Sequence, residues 1–149
     1  MMDTKFSSAI HMLILISEAE TPMTSEEIAV SVGTNASYIR KVTGLLKKKG
    51  IIESRQGASG YQLLVGPEEL TLYEVYQAVS ETEQVHVFDM HQNPNDQCIV
   101  GKHIRPVLTD VFRSVEEKAE QELRSTTLKC CMDRMLGEIE RSGDLKYTR

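Results

Sequence analysis

A mainly α fold with one small β-hairpin is what the 149-residue sequence predicts, and three observations predict it. Apolar residues recur at helical spacing in a series of stretches, most of them opened by a capping residue. Two short β-type runs flank a glycine-rich turn. The composition, 40% hydrophobic and 26% charged, is that of an ordinary soluble chain of one domain, or of a small domain with an attached dimerisation element.

The first helix signal opens at Thr4. Phe6, Ala9, Ile10, Leu13, Ile14 and Ser17 share one stripe, and Thr21-Pro22 ends it. A second helix starts at Thr24, whose hydroxyl can accept from the backbone of Glu27 in a capping box. Ile28, Ala29 and Val32 form its apolar face, and Gly33 stops it. Asn35 caps a third helix with Tyr38, Ile39, Val42, Leu45 and Leu46 on the buried side and Ser37, Arg40, Lys41 and Gly44 on the other. Lys47-Lys48-Lys49-Gly50 closes it, with cations at the negative end of the dipole.

Ile51 to Arg55 and Tyr61 to Val65 are the arms of the hairpin, and Gln56-Gly57-Ala58-Ser59-Gly60 is its tip. Gly66-Pro67 ends it. Thr71 caps a short helix through Val79, with Leu72, Val75, Tyr76 and Val79 inward. Gln84 to Gln97 has no clean period and reads as a loop. Ile99 to about Arg124 is the longest helical pattern, with Ile104, Val107, Leu108, Val111, Val115, Ala119 and Leu123 along one face. Pro106 costs least if that helix starts near Arg105, and kinks it otherwise. Ser125-Thr126-Thr127 caps a last helix through Ile139, and a fraying tail is expected from Ser142.

Charge separates the chain into halves. The net charge is −5, but residues 1–62 carry +1 and residues 63–149 carry −6. Arg40, Lys41, Lys47, Lys48, Lys49 and Arg55 crowd into one segment with Glu53 as the lone acid. A local basic patch on an acidic body suits a protein that docks DNA with one edge; a solvated helix end is the plainer alternative. The longest apolar run, Met12 to Ile16, is far short of a membrane span, and no cleavage site follows it. The expected setting is cytoplasmic, without a membrane partner. Three cysteines, Cys98, Cys130 and Cys131, do not make a disulfide framework. No carboxylate pair, activated nucleophile or phosphate loop stands at a usable spacing, so an enzyme is not expected.

Two short helices joined by a tight turn, the second one basic, with a hairpin after them, make a winged helix-turn-helix. Such a helix fits the major groove, its end cations neutralise phosphate, and a small-residue hairpin tip can approach the backbone closely. The rival reading is a dimeric protein-interaction module whose acidic half meets a partner.

The same residues resemble the Rrf-type winged-helix regulators, the bacterial family that includes IscR, NsrR and CymR. Thr4-Lys5-Phe6 with Ala9-Ile10-His11 is similar to the family's first helix, and Met23 to Ala29 to its second. Ser37 to Val42, Leu45-Leu46 and Lys49 to Ile52 resemble its recognition helix and exit. Arg55 with Gly57 to Leu63 resembles the wing, and Leu70 to Val75 the segment after it. The resemblance implies a homodimer paired through the helix near residues 104–124, by Ile104, Leu108, Val111 and Val115, and reading a palindromic operator in double-stranded DNA. By position it implies DNA contact for Lys5, Ser37, Tyr38, Arg40, Lys41, Arg55 and Ser59, with the Tyr38 ring alternatively in the core. Repression is the family tendency. The implied parts are a DNA-binding domain over 1–82, a sensor-type loop over 83–98, dimerisation helices over 99–141 and a tail over 142–149.

Many members hold an iron–sulfur cluster through three cysteines in the loop. Only Cys98 of that pattern is present, so no cofactor is expected, and the chain most resembles the cluster-less branch typified by CymR and the YwnA-like proteins. Cys98 with His86, His91 or His103 matches no recognised metal-ligand spacing, and His11 with Ser7 reads as a helix edge. Cys98 at a helix start, one turn before Lys102, is a candidate thiol sensor or an inert cysteine. Cys130 and Cys131 read as packing. A small-molecule effector or a regulatory protein is the other expected source of signal.

Overall fold

In the computed structural model, which describes residues 4–55 and 60–144, the capping residues do what their chemistry dictates. The Thr24 hydroxyl accepts from the Glu27 N–H at 3.2 Å and opens α2 (Ser25–Val32). Asn35 Oδ1 accepts from the Tyr38 N–H at 2.9 Å and opens α3 (Ala36–Lys48). Thr71 and Thr127 do the same for α4 (Leu72–Ser80) and α6 (Leu128–Ser142), each at 3.2 Å. Ahead of them, α1 (Lys5–Glu18) begins without a side-chain cap from Thr4. Gly33 takes φ +83°, where a Cβ is disfavoured, and so turns the chain between α2 and α3.

Strands β1 (Ile52–Ser54) and β2 (Tyr61–Leu63) pair antiparallel, Ile52 opposite Leu63 and Ser54 opposite Tyr61. They are shorter than the arms predicted from sequence. Ile51 bonds to the end of α3 through its N–H and to Leu64 through its carbonyl, so it is the joint between helix and hairpin.

One core holds these parts together. Met12 and Leu13 of α1, Ile28 of α2, Ile39, Val42 and Leu46 of α3, Ile52 of β1, Leu70, and Val75 and Val79 of α4 are fully or almost fully buried in a single cluster. Each such side chain contributes about 1.5–3 kcal/mol of apolar burial. Leu128 and Met132 of α6 join it. The start of α6 is also tied down by main-chain bonds: Leu128 N–H to Leu70 carbonyl and Leu72 N–H to Thr126 carbonyl, both 2.8 Å.

The helix before α6 is built differently. α5 (Ile99–Ser125) runs 27 residues and buries none of them. It starts at Ile99, as its pattern predicts, so Pro106 lies inside it and frees the Lys102 carbonyl. The α6 helix passes the predicted end at Ile139 and stops at Gly143, which takes φ +79° as a left-handed cap. Residues 81–98 are without regular structure, as the missing period predicts.

Candidate nucleic-acid interface

On α3, burial and exposure alternate at helical period. Ile39, Val42, Thr43 and Leu46 are buried, while Ser37, Arg40, Lys41, Gly44, Lys47 and Lys48 face outward. The basic side therefore stands clear of the molecule's own core. Tyr38 is divided: its N–H serves the Asn35 cap, and its ring packs half-buried against the core. The Arg40 guanidinium lies 3.2 Å from the Glu26 carboxylate of α2, with both side chains more than half exposed. In water such a pair contributes little to stability, so phosphate or a base edge can take Arg40 from Glu26 at small cost.

The wing is fastened to this helix at several points. Lys47 Nζ donates to Ser54 Oγ at 2.9 Å. The Tyr61 hydroxyl sits 2.8 Å from Ser25 Oγ and 3.4 Å from Thr43 Oγ1, joining β2 to α2 and α3. Ser25 and Thr43 are the buried polar residues among those described, and this shared contact satisfies both. At Gly60 the chain takes φ +130° and passes so close to α2's approach that a Cβ would lie 2.5 Å from the Pro22 Cβ. Only glycine fits there, and the wing base is pressed against Pro22-Met23.

Of the remaining residues predicted to meet DNA, Arg55 is exposed at the end of β1, its N–H on the Gly60 carbonyl at 3.1 Å. It lines a groove between the wing and the end of α1 that also holds Glu20, Pro22 and Gln62. Lys5 is half-buried in the first turn of α1. Ser59 lies outside the described residues. Sequence reasoning missed Glu26 and Tyr61, whose partners lie 14 and 36 residues away. Lys47 was legible within the basic run, but its bridge to the wing was not.

Along α5, Ile104 and Leu108 are half-buried, and Val107, Val111 and Val115 are 56%, 50% and 43% exposed. An apolar stripe is thus left bare on one helix face. Before it, the loop is pinned on both sides. The Tyr76 hydroxyl accepts from the His86 N–H at 3.0 Å, and Glu116 Oε1 from the Val87 N–H at 3.2 Å. Arg105 donates to the carbonyls of His91 and Gln92 at 3.1 and 3.0 Å.

Cys98 is the N-cap of α5 and is exposed, without a side-chain capping bond. The free N–H groups of Gly101 and then Val100 favour its thiolate and lower its pKa. Cys130 is lowered by the Thr127 hydroxyl and N–H, and Cys131 is raised by burial. His86 bonds Asp89 at 2.7 Å, and His103 Nδ1 lies 2.9 Å from the Ile99 carbonyl. Among the described residues no three His, Cys, Asp or Glu side chains are placed to hold a metal. The donors also do not fit an iron–sulfur cluster, since Cys98 is the one thiol of its segment and the other two ride on α6.

A helix-turn-helix whose basic helix faces outward, with a hairpin locked beside it, defines a winged-helix DNA-binding protein. No described helix is long and apolar enough to cross a membrane. The Rrf2 family model, described as "Iron-dependent Transcriptional regulator", matches residues 2–134. The chain belongs to the Rrf2 family and is a DNA-binding transcriptional regulator, not an enzyme. It is 42% identical over 135 residues to "Putative HTH-type transcriptional regulator YwnA" of Bacillus subtilis (strain 168), spanning 91% of this chain and 99% of that one. A crystal structure described as that of "a putative DNA binding protein" superposes with TM-score 0.70 at 41% identity, over 86% of this chain and 98% of the other. CymR, the global cysteine regulator of B. subtilis, shares the fold at TM-score 0.65 and 17% identity, over 88% of this chain and 94% of its own.

Proposed function

We propose that the chain is a homodimeric repressor that reads a palindromic operator, with α3 in the major groove and the wing on the flanking backbone. The observation that carries this is the outward face of α3, where Ser37, Arg40 and Lys41 have no role in the core. Arg40 is suited to a guanine edge, and Lys41, Arg55 and Lys5 to phosphates. The stripe of α5, half-buried at Ile104 and Leu108 and exposed at Val111 and Val115, supports pairing with a second copy, because a monomer would leave much of it in water. The donor set supports operation without an iron–sulfur cluster. The exposed, acid-shifted Cys98 supports a thiol signal from the start of α5.

The test is fluorescence anisotropy with the DNA upstream of the chain's own gene, titrated with salt. Tight binding that weakens steeply between low and physiological salt is expected. Flat or absent binding overturns DNA readout and favours the protein-interaction reading. Treatment with peroxide tests the thiol signal: release in the wild type but not in Cys98→Ser supports it, and equal behaviour removes it. Anaerobic reconstitution with iron and sulfide is expected to leave the chain colourless, and a visible chromophore on Cys98 would contradict that.

A further inference from the structure

Helix α5 buries none of its residues, and a cleft of about 600 Å³ separates it from α1 and α4. Packing therefore leaves its direction loosely set. Its C-terminal end is fixed where the chain turns into α6. There the Leu72 N–H donates to the Thr126 carbonyl at 2.8 Å, and the Arg124 guanidinium stacks 3.9 Å from the Tyr73 ring centre. A helix held at one end alone can swing about that end.

The second hold is a strap of four residues, Val85 to Phe88. Val85 is buried. The His86 N–H donates to the Tyr76 hydroxyl of α4 at 3.0 Å, and the Tyr76 ring lies edge to face on Phe6 of α1 with centroids 5.5 Å apart. The next amide, the Val87 N–H, donates to Glu116 Oε1 of α5 at 3.2 Å. Phe88 then packs on Phe112, one turn up α5, with centroids 5.1 Å apart. Consecutive amides thus run from α4 to α5. Glu116 is half-buried, and a charged acceptor in such a place holds an amide more firmly than a neutral, exposed one.

We propose that this strap, with Glu116 as its acceptor on α5, is a positioning device. It sets the angle between α5 and the DNA-binding part, and so the half-site spacing that the dimer accepts. Glu116 acts through α5 and is not itself a DNA contact. From Thr126, Glu116 stands about 15 Å up the helix and Val111 about 22 Å, at 1.5 Å per residue. A swing of about 10° at Thr126 would carry Val111 about 4 Å, close to one base-pair step. A small slackening of the strap is therefore enough to let the two α3 helices meet half-sites one base pair nearer or farther apart. The proposal rests on the reading of the chain as a homodimer on a palindrome.

The experiment measures binding of the full chain to the palindrome upstream of its own gene, remade with one or two base pairs added or removed at its centre, and to an isolated half-site. The wild type is expected to prefer one spacing by about tenfold or more. Glu116→Ala should flatten that preference to about threefold or less, with half-site affinity, dimer mass and Tm as in the wild type. Tyr76→Phe, which keeps the ring on Phe6 and removes the other acceptor, should flatten it too. Glu116→Gln, whose amide oxygen still accepts from Val87, should restore it. A full preference in Glu116→Ala, an equal loss on the isolated half-site, or a Glu116→Gln as flat as Glu116→Ala would each overturn the proposal. A wild type that binds DNA and ignores spacing overturns it and leaves DNA binding standing. A wild type that binds no DNA overturns the DNA reading, and hydrogen exchange then judges the strap. The Val87 amide should be protected in the wild type and in Glu116→Gln, and exchange about tenfold faster in Glu116→Ala; equal exchange in all three would remove the strap.

Discussion

Helices α3 and α5 are both amphipathic, and they use their two faces in opposite ways. α3 turns Ile39, Val42 and Leu46 into its own core and shows its cations to solvent. α5 turns nothing into the core and shows Val107, Val111 and Val115. The face a helix leaves uncovered indicates its partner: charge and hydrogen-bond donors suit a nucleic acid, and bare aliphatic side chains suit another apolar face. α6 shows that the lesson is about burial rather than pattern. Its sequence is as amphipathic as that of α5, yet Leu128 and Met132 belong to the core of the DNA-binding part.

The largest effect should come from α5. Val111→Asp with Val115→Asp puts like charges into the expected two-fold contact. On the proposed homodimer it should give monomers in sedimentation velocity and lower operator affinity by about 100-fold or more, because the second half-site loses its effective concentration. An unchanged mass would break the contrast between the two helices. Next is Arg40→Ala, which should cost about 1–3 kcal/mol of binding and flatten base preference at one operator position, with dimer mass and Tm unaltered. Tm is expected to hold because the Arg40–Glu26 pair is exposed.

A smaller effect is expected where the wing meets α3. Tyr61→Phe removes the hydroxyl between Ser25 and Thr43, costing about 1 kcal/mol of stability in urea unfolding, with a few-fold loss of operator affinity. Unaltered stability would mean that the hydroxyl does not fasten the wing. The smallest effect separates the thiols. Cys98 has a lowered pKa and Cys131 a raised one, so near neutral pH more Cys98 is thiolate. Iodoacetamide should therefore label Cys98 before Cys131, and raising the pH should narrow the gap. Mass spectrometry of timed digests reads the order.

Most of the fold was legible because its signals are local. Thr24, Asn35, Thr71 and Thr127 each cap the helix they were expected to open, and Gly33 makes the turn. The outward set on α3 followed from spacing alone. What stayed hidden depends on pairs distant in sequence. Nothing near Glu26 announces Arg40, and nothing near Tyr61 announces Ser25. The start of α5 at Ile99 was legible, although Pro106 falls inside the helix rather than in its first turn. The docking of α6 was unreadable because an apolar stripe bound for the chain's own core has the same period as one bound for a second copy.

Hydroxyl-radical footprinting of the chain on the DNA upstream of its own gene tests the central claim most directly. Two protected patches with centres about one helical turn apart, or a whole number of turns, are predicted, and both should vanish together in Arg40→Ala with Lys41→Ala. A single patch, or protection that survives those substitutions, would contradict the division of labour between α3 and α5.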